Sequence, residues 1–318
     1  MATDAAPRFA VVMRTYQWDP FIRRQMQRYQ CVAAGGDLFV SADETHGPLG
    51  DFDGLPALRT TNAQLVALGL ADRFEKGSLI WWNGDYPSYA FLHAYPNYDY
   101  YVFVEYDSVV RVPLARVVQE VAEAGVDFVA APIPGPLNKW FWWPYVRAAY
   151  DPAELRATLN CICILSRRSL RLLFDRRVDM GRDPSLARWP ISEAFVATEL
   201  ARAGHVFAPL SRFGDDSAYD WFPRCLTAGT LGGVLSVPNV SSWRGYRLGD
   251  GTAVWVDDGI APPDAFDVRA AARAAWLLKA SRAAQYFDVK SPGQVFDQSQ
   301  VYKHCTEMAD RFRSVFVA

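Results

Sequence analysis

Short apolar runs alternate with longer amphipathic ones through the first two-thirds of the chain. Phe9–Met13, Asp37–Ser41, Tyr100–Val104, Asp127–Ala131, Cys161–Leu165 and His205–Ala208 read as strands, being brief and rich in β-branched or aromatic residues. Pro20–Ala33, Tyr86–Ala94, Leu114–Ala124, Ser169–Phe174 and Ser192–Ala203 read as helices. Gly125 and Gly204 stop two of these, and Pro132, Pro134 and Pro136 break the strand that ends at Ala131. This rhythm predicts an α/β fold whose mostly parallel sheet is covered by helices on both faces. From Ser211 to about Pro263 the period weakens and Gly, Ser, Asp and Trp accumulate, which predicts long loops and short strands. Two helices, Phe266–Ala283 and Gln298–Val315, are expected to close the chain. The expected organisation is a core over 1–210 and a loop-rich, helical extension over 211–318 packed on it, without internal repeats or low-complexity tracts.

The chain has 318 residues, 51% hydrophobic and 21% charged, with a formal net charge of −2. That length supports a sizeable core, and the near-neutral charge gives no reason to expect nucleic acid as a partner. Cys31, Cys161, Cys163, Cys225 and Cys305 are odd in number and lack metal-finger spacing, which suggests reduced, structural thiols. The opening Met-Ala-Thr-Asp-Ala-Ala-Pro lacks the basic and apolar regions of a signal peptide, and no run approaches a membrane span. A cytoplasmic protein, soluble or peripheral at the inner membrane face, is the expectation. Aromatic residues are unusually clustered at Trp81-Trp82 and at Trp140-Phe141-Trp142-Trp143. Trp81, Trp82, Trp140, Trp142 and Trp143 are candidates for a sugar platform, with plain core packing as the alternative.

The run Tyr100–Val104 ends in Glu105-Tyr106-Asp107, two acids where a buried strand should emerge at the carboxyl edge of the sheet. Ligands of open α/β sheets bind at that edge. Acids wedged between this strand and Val109-Val110 need neutralising, by Arg or Lys or by a hard divalent cation that also carries phosphates. Arg14-Thr15-Tyr16 ends the first strand, and Ser41 and Asp43-Glu44 end the second. Arg14 suits a phosphate and Asp43 a ribose or base, unless the two pair with each other. No G-x-G-x-x-G and no P-loop follows Met13, which argues against dinucleotide dehydrogenases and NTPases.

Three stretches resemble a GT-A-fold glycosyltransferase, the kind that uses a nucleotide-sugar donor and a divalent metal. They are Asn83-Gly84-Asp85-Tyr86 with Tyr98–Asp107, then Asn160–Arg167, then Ser192-Glu193-Ala194-Phe195 running on to His205. The second is similar to that fold's acceptor-side strand. The resemblance covers about 8–210 and implies a GT-A-like (Rossmann-like) sheet, with Glu105 in place of the usual first Asp of the metal motif. It further implies that Glu105 and Asp107 hold Mn²⁺ or Mg²⁺ and the diphosphate, with His304 as a further metal ligand. Arg14, Thr15, Asp43, Asn83, Asp85, Glu105 and Tyr106 would hold the nucleotide-sugar, a UDP- or GDP-sugar. Glu193 would be the general base of an inverting transfer to a glycan or glycolipid hydroxyl, with Glu199 and Asp215-Asp216 as fallbacks.

Glu193 also has a simple structural explanation, since an acid in a first helical turn after a Ser192 cap is favoured electrostatically. Lys303 is an alternative partner for diphosphate charge; His46, His93 and His205 read as structural. Two rival functions stand beside the transferase. One is an inactive GT-A-like carbohydrate-binding protein, which the aromatic clusters suit. The other is a sugar-1-phosphate nucleotidyltransferase, which wants a glycine-rich signature absent here.

Overall fold

The computed structural model describes residues 6–106, 108–110, 112–133, 135–214, 243–245, 289–291, 294–296 and 298–311. The chain divides into two compact units, Met1–Trp221 with Ser241–Gly245, and Phe222–Val240 with Tyr246–Ala318.

The first unit is built on seven strands: β1 (Phe9–Thr15), β2 (Asp37–Asp43), β3 (Ala57–Thr60), β4 (Tyr100–Glu105), β6 (Phe128–Pro132), β7 (Thr158–Ser166) and β8 (Phe207–Pro209). Their order across the sheet is β3-β2-β1-β4-β7-β6-β8. Every pairing is parallel except the two made by β7, which runs antiparallel to both β4 and β6. The sheet is therefore mostly parallel, as the rhythm of the sequence predicts. Two short strands, β5 (Ser108–Val110) and β9 (Trp243–Gly245), pair antiparallel apart from it.

Buried parallel strands show as unbroken apolar runs because both faces are covered. Val102, Phe103 and Val104 of β4 are fully buried, each contributing about 1.5–3 kcal/mol by leaving water. The covering helices are α1 (Pro20–Val32), α4 (Tyr86–Ala94), α5 (Leu114–Glu123), α7 (Arg167–Arg182) and α8 (Ser192–Arg202), joined by the short α2 (Asn62–Ala67), α3 (Leu79–Trp82) and α6 (Trp143–Val146). Asp19 caps α1 by accepting from the Ile22 amide at 2.9 Å, and Thr61 with Gln64 forms a capping box on α2. Helix α5 buries Leu114, Val117, Val118 and Val121 at helical spacing.

Two helices differ from expectation. Helix α7 begins at Arg167, capped by Ser166, and runs eight residues beyond Phe174 to Arg182. Its polar-looking second half hides Arg177, which is fully buried. The cap of α8 is Ile191, with no side-chain hydrogen bond, and Ser192 is its first helical residue. The capping role expected of Ser192 is thus corrected.

In the second unit, β10 (Val289–Ser291) and β11 (Gln294–Phe296) pair antiparallel, and α9 (Gln298–Arg311) follows. Most of the 211–263 stretch and the whole of Phe266–Ala283 lie outside the described residues, as does Cys225. Among the described residues no helix is long and apolar enough to cross a membrane. Cys161 and Cys163 alternate on β7, and burial pushes the Cys163 thiol up to about 11.

At the amino edge of the sheet, Asp127 accepts from the Val206 amide and from Arg168, and Ser166 Oγ donates to it at 3.0 Å. Ser169 Oγ lies 2.8 Å from His205 Nδ1. Burial pushes the His205 imidazole below its ordinary 6.5, against the pull of Asp127. The folded state therefore binds the proton later than the unfolded chain, so stability from neutral His205 is complete above pH 6.5 and declines as pH falls below it. His205→Gln is expected to flatten this decline in denaturation midpoints between pH 7 and 5; an unchanged slope would contradict it.

Candidate functional site

Strands β1, β2 and β4 end side by side, with Arg14 in register with both Ser41 and Glu105. Because β7 is antiparallel, it starts at this same carboxyl edge, where Asn160 sits. Arg14 reaches across the edge. Its Nη1 donates to the Gly84 carbonyl at 2.7 Å, its Nη2 to the Asn160 carbonyl at 2.5 Å, and Nη2 lies 3.7 Å from Glu105 Oε1. The Arg14 side chain is 12% exposed and that of Glu105 37%, so the arginine is the foundation and the acid faces outward.

Arg14 therefore pairs with Glu105, not with Asp43; its two Nη atoms meet internal partners, while its buried Nε has no hydrogen-bond partner among the described residues. In this arrangement Arg14 positions Glu105 and the turn at Gly84. A cavity of about 10 Å³ lies beside it, lined by Gly84, Asp85, Asn160 and Cys163 among others. That volume holds about one water molecule and no nucleotide.

Asp43 is half-buried, and its Oδ1 accepts from the Thr45 amide at 2.9 Å and the Thr45 hydroxyl at 2.6 Å. Among the described residues Oδ2 accepts no hydrogen bond. Thr15 is buried, with Oγ1 donating to the Gln17 carbonyl at 2.5 Å. Its expected ligand role is corrected to that of a turn former. Tyr106 is buried and lies edge-on to Tyr16, ring centroids 5.3 Å apart. Tyr16, directly after β1, is more than half exposed beside this edge.

Asn83 and Asp85 are corrected most clearly. Asn83 Nδ2 donates to the Arg73 and Leu79 carbonyls, each at 2.9 Å, and Oδ1 accepts from Trp189 Nε1 at 2.7 Å. Asp85 accepts two bonds from Arg177, at 2.7 and 3.1 Å, and a third from the Tyr89 hydroxyl at 2.9 Å. Both side chains are buried and fully employed in holding the turn before α4. Burial alone would lower the proton affinity of the Arg177 guanidinium; Asp85 outweighs it and holds that affinity above its ordinary value.

That turn has a second neighbour. A Cβ at Gly84 would stand 3.4 Å from Ser192 Oγ, so the start of α8 abuts the turn whose carbonyl holds Arg14. Half-buried Glu193, in the first turn of α8, is thereby brought to the carboxyl edge. The fallback Glu199 is buried, 3.7 Å from Arg176 and 3.3 Å from Arg202, and is structural. Asp107, Asp215 and Asp216 lie outside the described residues. His304 is exposed on α9 of the second unit, one residue from buried Cys305.

The tryptophans separate by burial. Trp82 and Trp140 are buried, so their expected place in a sugar platform is corrected to core. Trp81 is exposed, whereas Trp142 and Trp143 are half-buried. Ser169, His205 and Asp127 come together at the opposite edge, but Ser169 is completely buried and bonded to Ser166, so the group is a cap and not a nucleophile.

Among the described residues no three His, Cys, Asp or Glu side chains cluster as a metal cage. A nucleotide-borne Mg²⁺ or Mn²⁺ needs no such cage. It commonly takes one or two carboxylates and completes its shell with phosphate oxygens and water. Among the described residues at this edge, Glu105 is a carboxylate of that kind, its side chain 37% exposed.

No protein-family model matches the chain, and no curated protein does. Among solved structures, mouse xyloside xylosyltransferase 1 is similar over 64% of this chain and 85% of its own, at 12% identity and TM-score 0.41. The galactosyltransferase LgtC, solved with donor and acceptor sugar analogs, is similar over 63% and 73%, at 10% identity and TM-score 0.41. Glucosyl-3-phosphoglycerate synthase from Mycobacterium tuberculosis, solved with Mg²⁺ and uridine diphosphate, is similar over 64% and 68%, at 14% identity and TM-score 0.34. Superpositions this loose leave the chain's own residues as the ground for its function.

Proposed function

We propose that this chain is a glycosyltransferase moving a sugar from a nucleoside-diphosphate sugar, UDP- or GDP-linked, to a hydroxyl of a glycan or glycolipid, with inversion. The reading is supported by two acid-bearing elements that reach one carboxyl edge, the end of β4 and the start of α8. Glu105 lies beside Arg14 at the end of β4, and Glu193 follows Ser192, whose Oγ would stand 3.4 Å from a Cβ at Gly84.

Glu105 and Asp107 would hold Mn²⁺ or Mg²⁺, which when bound offsets the charge that develops on the departing diphosphate. Arg14 keeps Glu105 turned to the edge and balances its charge in the unliganded protein. Asp43 accepts hydrogen bonds from the nucleoside through Oδ2. In the transfer step, the acceptor oxygen bonds to the anomeric carbon and its proton passes to the Glu193 carboxylate. The bond from that carbon to the diphosphate oxygen breaks, and its electron pair leaves with the diphosphate.

Incubating the protein with UDP-, GDP- and dTDP-sugars in the presence of Mn²⁺ is expected to release the nucleoside diphosphate from one donor class. No turnover of any donor, with or without added glycans, would remove the enzymatic reading. The Arg14–Glu105 pair favours one alternative, because a neutralised Glu105 attracts a cation less strongly. In that case the protein is an inactive GT-A-like carbohydrate-binding protein, and it binds glycans without binding a nucleotide.

A further inference from the structure

Strand β6 runs parallel to β4, so the excursion from Ile133 to Ala157 leaves the sheet at the same carboxyl edge as Glu105. It carries Trp140–Val146. Helix α3, which leads directly into the turn at Gly84, carries Trp81. The two segments build one aromatic face. Trp81 is 52% exposed and Phe141 64% exposed. Both are mounted on Trp142, at centroid distances of 5.6 and 4.5 Å, and Trp142 rests on buried Trp82 at 5.1 Å.

The face is also cationic. The Lys76 ammonium sits over the rings of Phe141, Trp142 and Tyr145, 5.5, 6.0 and 5.6 Å from their centroids. Lys139 and Arg147, at either end of the aromatic segment, are exposed. The neighbouring acid, Glu75, is consumed by Arg188 at 2.8 Å and by the Trp189 amide at 2.8 Å. Large rings held out in water beside cations that pair with no carboxylate among the described residues form the composition of an interfacial anchor. The rings enter the headgroup boundary while the cations meet anionic phosphates. Lys76 and the backbone at Gly77, which packs on the Trp81 ring, already occupy ring faces that a stacked sugar would use.

We propose that Trp81, Phe141, Trp142 and Lys76 form a docking face for an anionic bilayer surface, turning the carboxyl edge of the sheet toward the lipid. If the transferase reading holds, on which this last clause rests, the acceptor is a glycan carried on a lipid.

The test is co-sedimentation of the full chain with vesicles of phosphatidylcholine alone or mixed with phosphatidylglycerol, read without any nucleotide. Binding to the anionic vesicles is expected, weakening as salt is raised. The pair W81A/F141A is expected to weaken it at least about tenfold, and K76Q about fivefold. Both changes lie at exposed side chains, and unchanged thermal midpoints would certify the fold. Equal retention on both vesicle types, no retention, or full binding by W81A/F141A would overturn the proposal. So would a soluble oligosaccharide that perturbs tryptophan fluorescence in the absence of vesicle binding, because it assigns the face to sugar. Failure of donor turnover leaves the vesicle result standing, and failure of vesicle binding leaves donor turnover standing.

Discussion

Replacing Arg177 with Met is expected to lower the unfolding midpoint by on the order of 10 °C. Arg177 and Asp85 are both buried, bonded twice to each other, and Arg177 Nη1 also donates to the Pro190 carbonyl at 3.2 Å. Its guanidinium lies 3.7 Å from the centre of the Phe195 ring. Removing one partner leaves the other charge buried without compensation, which costs about 3–5 kcal/mol. In a unit of this size each kcal/mol moves the midpoint by about 2–4 °C.

Removing both charges is less damaging, because no orphan remains. Asp85→Leu combined with Arg177→Met is therefore expected to be more stable than Arg177→Met alone. Thermal denaturation of the two single variants and the double variant checks this. Single variants within 2 °C of the parent, on the scale of about 1 kcal/mol, would show that the pair is not the clamp described. The consequence reaches the site, because Asp85 follows directly on Gly84, whose carbonyl receives Arg14.

Glu193→Gln is expected to lower sugar transfer by about 10²–10⁴-fold, the usual contribution of a positioned proton acceptor. Glutamine keeps the size and most hydrogen bonding of the side chain, and Glu193, in the first turn of α8, is assigned the proton transfer and not the metal or diphosphate. Donor affinity is accordingly expected to stay within about twofold of the parent, because the variant alters the proton transfer and not the binding. Steady-state turnover beside calorimetric donor binding separates the two. Full transfer by Glu193→Gln would assign the base to another residue.

The sheet was legible because β1, β2 and β4 are buried on both faces and write themselves as apolar runs. Helix α4, Tyr86–Ala94, lies where the sequence predicts it. Side-chain roles were less legible wherever the partner is distant in sequence. Asn83 and Asp85 have the composition of ligands, yet their partners Trp189 and Arg177 are 106 and 92 residues away. No local pattern announces such contacts. Arg177 itself concealed half of α7, since a buried arginine reads as surface. The Arg14–Glu105 pairing follows from strand register, which becomes visible only when β1 and β4 are known to be neighbours. Trp81 and Trp82 are adjacent in sequence, yet one faces water and the other is core, and a four-residue helix carries too short a period to tell them apart.

Thermal shift with uridine or guanosine diphosphate, in the presence and absence of Mn²⁺, tests most directly whether this edge binds a nucleotide through a cation. The parent chain is expected to be stabilised by one of the diphosphates only when Mn²⁺ is present, and Asp107→Ala is expected to lose that stabilisation. A parent chain indifferent to both nucleotides with Mn²⁺ present, or an Asp107→Ala chain that responds like the parent, would contradict the account.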